Sequence, residues 1–114
     1  MVLLPKIAVR GLGREVIFIQ GGMGAGVSLA RLAGAVARRG GVGTVSFVAL
    51  DKMVERRIGL KVSHREAAKL EIEEARRLSG NNGAIAINCM VLVEKTYIPS
   101  VEGAIEGGVN VIIA

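Results

Sequence analysis

Four glycines fall within the six positions Gly21-Gly22-Met23-Gly24-Ala25-Gly26, directly after Gln20 and directly before Val27-Ser28-Leu29. A segment with so few Cβ atoms lets a flat or anionic ligand approach the backbone. The helix expected after it adds free N–H groups and the positive end of a dipole. Two familiar phosphate loops are excluded by position. A dinucleotide fingerprint opening at Gly22 needs its third glycine where Val27 stands, and one opening at Gly24 needs it at Leu29. No Gly-Lys-Ser/Thr closes the segment as a P-loop does, so a small Rossmann-like nucleotide module is a weak third reading.

The remaining reactive residue types are few. Asn88 ends the apolar run Ala84-Ile85-Ala86-Ile87, where an amide by itself reads as a buried group that satisfies loop backbone. Cys89 is the only cysteine and follows that run, so it reads as a small buried hydrophobe and not as a nucleophile. It cannot form an internal disulfide, and with His64 as the only histidine the chain lacks the usual four ligands of a structural zinc. His64 falls in the first turn of an expected helix and is assigned no catalytic role. Lys52, Arg56, Arg57 and Lys61 lie in residues 50–62, longer than an ordinary βα connection, and are read chiefly as the charges of a solvated loop or short helical lid. The weaker reading makes them attractors of an anionic substrate such as an acyl-carrier thioester.

The elements that must position these residues alternate in type. Lys6-Ile7-Ala8-Val9-Arg10 and Arg14-Glu15-Val16 flank Gly11-Leu12-Gly13 and predict a short hairpin. Val16-Ile17-Phe18-Ile19-Gln20 has no polar alternation, the pattern of a parallel strand covered on both faces. A helix is expected over residues 28–39, capped by Ser28 and carrying Leu29, Leu32, Ala33 and Val36 on one face. A strand follows over 44–49. The next helix opens on a capping box, Ser63 with Glu66, and runs to about Ser79, with Ala68, Ile72 and Ala75 towards a sheet and Lys69, Glu73 and Arg77 towards solvent. Strands over 84–90 and 109–114 enclose a helix near 97–106. The fold class is therefore α/β: about three βα units plus a fourth strand, preceded by a short hairpin. The three units look like repeats of one module, and because a (βα)8 barrel requires roughly 250 residues, residues 1–114 look like the front part of something larger. The last strand then leaves an open sheet edge suited to self-association.

The chain has 114 residues, 15 Lys+Arg against 10 Asp+Glu, 51% apolar residues and 22% charged residues. No apolar run approaches the roughly 20 residues of a membrane-spanning helix. Lys6 and Arg10 interrupt the start before a secretory leader can form, so a cytoplasmic location is expected. The positive charge is concentrated before residue 46, yet only Phe18, Phe47 and Tyr97 are aromatic, so stacking of nucleic-acid bases is not expected.

Ile19-Gln20-Gly21-Gly22-Met23-Gly24, then Ser28-Leu29-Ala30-Arg31-Leu32-Ala33-Gly34-Ala35-Val36-Ala37, then Gly40-Gly41-Val42-Gly43-Thr44-Val45 resemble the opening of the nitronate monooxygenase (2-nitropropane dioxygenase) family. Ala86-Ile87-Asn88-Cys89-Met90 resembles that family's third-strand segment, and Ala104-Ile105-Glu106-Gly107-Gly108-Val109-Asn110 the segment before its fourth strand. The resemblance spans the whole chain. It implies an FMN-binding (βα)8 barrel, with Gly21, Gly22, Met23 and Gly24 against the isoalloxazine ring and Asn88 as a third-strand contact to it. Gln20 either joins them or orients the glycine loop. The implied activity is flavin-dependent oxidation of a small nitronate. The related enoyl-acyl-carrier-protein reductases, acting on an acyl thioester, are the alternative, with O2 or NAD(P)H as redox partner. The family's phosphate-binding loops and catalytic histidine lie later in its barrel, so no catalytic residue is assigned within this chain. A non-catalytic half-barrel that pairs with itself or with a partner is the reading from another class.

Overall fold

The structure, a computed structural model, describes residues 4–114. Met1, Val2 and Leu3, part of the segment read for a leader, lie outside the described residues. The elements in chain order are β1 (Ile7–Ala8), β2 (Glu15–Val16), α1 (Ala30–Arg38), β3 (Val42–Ser46), α2 (Leu50–Ile58), α3 (His64–Ser79), β4 (Ala84–Asn88), α4 (Glu94–Glu106) and β5 (Val111–Ile113). Strands β3, β4 and β5 form one parallel sheet in that order, giving an α/β fold. Strands β1 and β2 form the expected antiparallel hairpin, with Ile7 opposite Val16. No helix among the described residues is long and apolar enough to cross a membrane.

Parallel strands need crossover connections, and the helices that supply them also cover the sheet. Each of the five residues of β3 is buried, as are Ala84 to Ile87 of β4. Ile85 and Ile87 turn to the helices, where they join Val45, Ile72, Val54 and Leu50 in the main core. Full burial of each such branched side chain contributes about 1.5–3 kcal/mol relative to exposure. Ala84 and Ala86 turn the other way and meet Val16 and Val42 in a second cluster, which Leu12 of the hairpin turn covers. The hairpin thus closes the end of the sheet where β3 and β4 begin. Arg14 holds it there, donating to the carbonyl of Gly83 just before β4.

Helix α3 follows the pattern read in its sequence. Glu66 N–H donates to Ser63 Oγ at 3.1 Å and Ser63 N–H to Glu66 Oε2 at 3.2 Å, completing the capping box. Ala68, Ile72 and Ala75 are buried. Lys69, Glu73 and Arg77 are exposed, although Arg77 pairs with Glu74 and not with Glu73. Arg65 on α3 pairs with both Glu102 and Glu106 on α4.

Several expectations are corrected. The strand over residues 16–20 is reduced to a single bridge, Ile19 to Val42. Val16 belongs to the hairpin, while Ile17, Phe18 and Ile19 are 36%, 38% and 49% exposed. This segment has β3 on one side and no neighbour on the other among the described residues, so two backbone bonds, Val42 N–H to Phe18 O and Gln20 N–H to Val42 O, hold it in place. The expected strand over 44–49 begins and ends earlier, because Ala49 adopts a left-handed conformation that turns the chain into α2. Residues 50–62 contain helix α2 with Leu50 and Val54 in the main core, so its first half is a packed element and not a loose loop. Helix α4 begins at Glu94, earlier than the expected 97, and β5 is shorter than 109–114.

Candidate functional site

Register brings the site together. Ser46 pairs with Asn88, so both stand at the carboxyl ends of adjacent parallel strands, where ligands of α/β folds are commonly held. The glycine loop leaves the 17–20 segment on the far side of β3 and passes over those strand ends. A Cβ built on Gly22 would lie 2.8 Å from Asn88 Cβ and 3.0 Å from its Nδ2, so glycine is required here by close approach. Gly22 and Asn88, 66 positions apart, are therefore in contact. Asn88 O accepts the Phe47 N–H at 3.1 Å, which fixes its backbone. Its side-chain amide has no partner among the described residues and retains access to solvent. It presents two donors and an acceptor beside a backbone with no Cβ.

The other loop residues differ in their surroundings. Gly21 has open space where a Cβ would stand, and Gly24 lies at ordinary contact distance from Val48. Met23 is 46% exposed, and its carbonyl accepts the Ser28 N–H at 3.2 Å, closing the loop. The structure thus joins Gly22 and Asn88 directly, with Gly21 and Met23 on either side of Gly22 and Gly24 opening the turn that follows.

Gln20 has another use. Its Oε1 accepts the Thr44 N–H at 3.0 Å, and its Nε2 donates to Ser28 Oγ at 2.7 Å and to Gly21 O at 2.9 Å. Thr44 Oγ1 donates to Gln20 O at 2.6 Å, and Ser28 Oγ donates to Thr44 O. The amide of Gln20 is consumed in pinning both ends of the loop to β3, so it orients the loop. This also corrects the reading of Ser28 as a helix cap: its hydroxyl turns to the sheet, and α1 starts after Leu29 with no side-chain cap from that residue.

The first turn of α1 is capped from elsewhere. Ala30 N–H donates to Glu71 Oε1 at 2.7 Å, and Glu71 Oε2 accepts from Arg57 Nη1 at 2.6 Å. Glu71 is 1% exposed, yet both oxygens are paired with a helix-end N–H and a guanidinium, the arrangement a buried carboxylate needs. Sequence reasoning missed it. The available signal was its position four residues after Ala67 and four before Ala75, on the apolar stripe of α3.

His64 and Cys89 lie away from the glycine loop in sequence and have their own surroundings. His64 is the first residue of α3, and its Nδ1 lies 3.8 Å from Asp51 Oδ1. Cys89 is 1% exposed, and burial pushes its thiol up to about 11. Below that value the thiol stays protonated, so at pH 8 alkylation by iodoacetamide is expected to run roughly a hundredfold slower than for a free cysteine thiol of pKa about 8.5. A rate within a few-fold of the free thiol, measured by intact mass against time, would show that Cys89 is reachable. No group of three or more His, Cys, Asp or Glu residues suited to a metal occurs among the described residues.

No protein-family model matches the chain, and no curated protein matches it.

Proposed function

We propose that this chain is the opening of an FMN-binding (βα)8 barrel of the nitronate monooxygenase type, and that it supplies the surface against which the flavin edge rests. The observation that carries the reading is the contact of Gly22 with Asn88 and the free amide that results. A flavin edge alternates hydrogen-bond acceptors and donors, and an amide beside a Cβ-free backbone can match either. In this reading Asn88 binds and orients the ring edge, the backbone of Gly21 to Gly24 lies against it, Met23 covers it from water, and Gln20 keeps the loop in place. When bound, the flavin supplies the redox chemistry, and the protein supplies orientation and electrostatics. The substrate is a small nitronate, the redox partner O2 or NAD(P)H, and the setting the cytoplasm, where a lone thiol stays reduced.

One observation favours an acyl thioester as the substrate instead. Met90, Val91, Leu92 and Val93 follow Asn88 after the buried Cys89 and are 49%, 55%, 82% and 53% exposed, an apolar run at the same end of the sheet. Such a surface suits an aliphatic chain better than a small polar nitronate. The open sides of β5 and of residues 17–19 favour association with a second copy or a partner through the sheet edges.

The test is titration of FMN into the purified chain, followed by flavin fluorescence, with Asn88→Ala in parallel. Saturable binding that the substitution weakens by about tenfold is expected, since one hydrogen bond in a partly buried site is lost. Absence of saturable binding, or equal binding by the variant, would overturn the reading.

A further inference from the structure

A second site lies on the other side of the glycine loop, between that loop, the start of α1, and the helices α2 and α3. It is a cleft of about 560 Å³, within the range of small-molecule sites. Val27, Leu32 and Met53 form its apolar side, and Arg31, Arg56 and Arg57 its charged side. Glu71 lies at its floor, but both carboxylate oxygens are engaged, by Ala30 N–H and by Arg57. The Arg57 charge is thereby compensated, and the first amide of α1 is already taken. Arg31 and Arg56 have no acidic partner among the described residues. Arg57, Arg65 and Arg77, on the same pair of helices α2 and α3, each hold a carboxylate. Two uncompensated guanidiniums therefore face an apolar wall whose Val27 and Leu32 are 57% and 37% exposed.

We infer that this cleft binds a small amphipathic anion, its carboxylate or phosphate head between Arg31 and Arg56 and its aliphatic or aryl body against Val27, Leu32 and Met53. Guanidinium groups bind such oxyanions through paired N–H donors, and the apolar wall rewards a hydrocarbon body that a bare inorganic anion lacks. The inference does not depend on the flavin reading, because the cleft shares neither Gly22 nor Asn88. A ligand here would nevertheless touch the glycine loop. Gly26 lines the cleft, and a Cβ on it would stand 3.2 Å from Met53 Sδ, so the loop and α2 are already in close apposition.

Isothermal calorimetry on the full chain tests it with four probes: octanoate, octyl phosphate, 1-octanol and inorganic phosphate. Saturable one-to-one binding of octanoate or octyl phosphate is expected, with 1-octanol and inorganic phosphate each at least about tenfold weaker. Octanoate and octyl phosphate differ in the head and by one methylene in the body, so a ratio beyond the roughly fourfold that one buried methylene supplies identifies which oxyanion the arginines prefer. Arg31→Gln and Arg56→Gln are expected to weaken the preferred probe by about tenfold each. Lys61→Gln, on the same charged segment but outside the cleft, leaves it unchanged. Equal binding of 1-octanol, equal binding of inorganic phosphate, no saturable heat, or variants that bind like the parent while retaining its circular dichroism would each overturn the inference.

Discussion

Replacing Gly43 by alanine is expected to destabilise the protein by about 3 kcal/mol or more. A Cβ there would stand 1.8 Å from the carbonyl oxygen of Ala33 and 2.5 Å from its carbonyl carbon. The obstacle is backbone, not the end of a flexible side chain, so relief requires the whole of α1 to lift from β3. Lifting it opens the contact that buries Ala33, Ala37 and Val45. It also strains the polar bonds of Ser28 and Gln20 to Thr44, the neighbour of Gly43, so the glycine loop is displaced together with the helix. Urea unfolding is the measurement, and the expected signature is a lower midpoint with unchanged slope. A variant within about 0.5 kcal/mol of the parent, the range of an ordinary surface change, would mean that α1 does not press against β3 at Gly43.

Glu71→Ala is expected to have the next largest effect, a loss of about 2–4 kcal/mol. The substitution removes the acceptor of the Ala30 N–H and leaves Arg57 without its carboxylate. The guanidinium side chain is 45% exposed and can turn to water, which keeps the cost below that of stranding a fully buried charge. Glu71→Gln retains an oxygen for Ala30 while removing the charge, and is expected to cost about half as much. Glu71→Leu combined with Arg57→Leu is expected to recover part of the loss, since apolar packing can replace a buried ion pair. Equal midpoints for Glu71→Ala and the parent in urea would show that the carboxylate contributes nothing net. If Glu71→Ala and Glu71→Gln lose the same amount, the ion pair and not the helix cap is the effective part.

Local signals carried much of the helical structure. The capping box at Ser63 and Glu66 and the apolar spacing of Ala68, Ile72 and Ala75 define α3 because both are satisfied within a single turn or face. The hairpin was likewise legible, since Gly11 and Gly13 take the positive φ that its turn demands. The run Val16 to Gln20 misled for a complementary reason. Its composition suits a strand covered on both faces, but whether faces and edges are covered is decided by neighbours distant in sequence, and on one side none is present among the described residues. Residues 50–62 were half legible: a short helix was one of the two expectations for them, but their charges gave no sign that Leu50 and Val54 face inward to seat it.

The same division separates the parts of the candidate site. The glycine loop was recognisable from residue type and spacing, as was the α/β alternation that carries it, whereas Asn88 stood out only through the family resemblance. Tertiary structure alone decided that Gly22 abuts Asn88, that the Gln20 amide is spent on Thr44 and Ser28, and that Glu71 caps α1 from another helix. Those contacts join residues 8 to 66 positions apart, and they depend on strand register and helix packing, which no local pattern of residue types encodes.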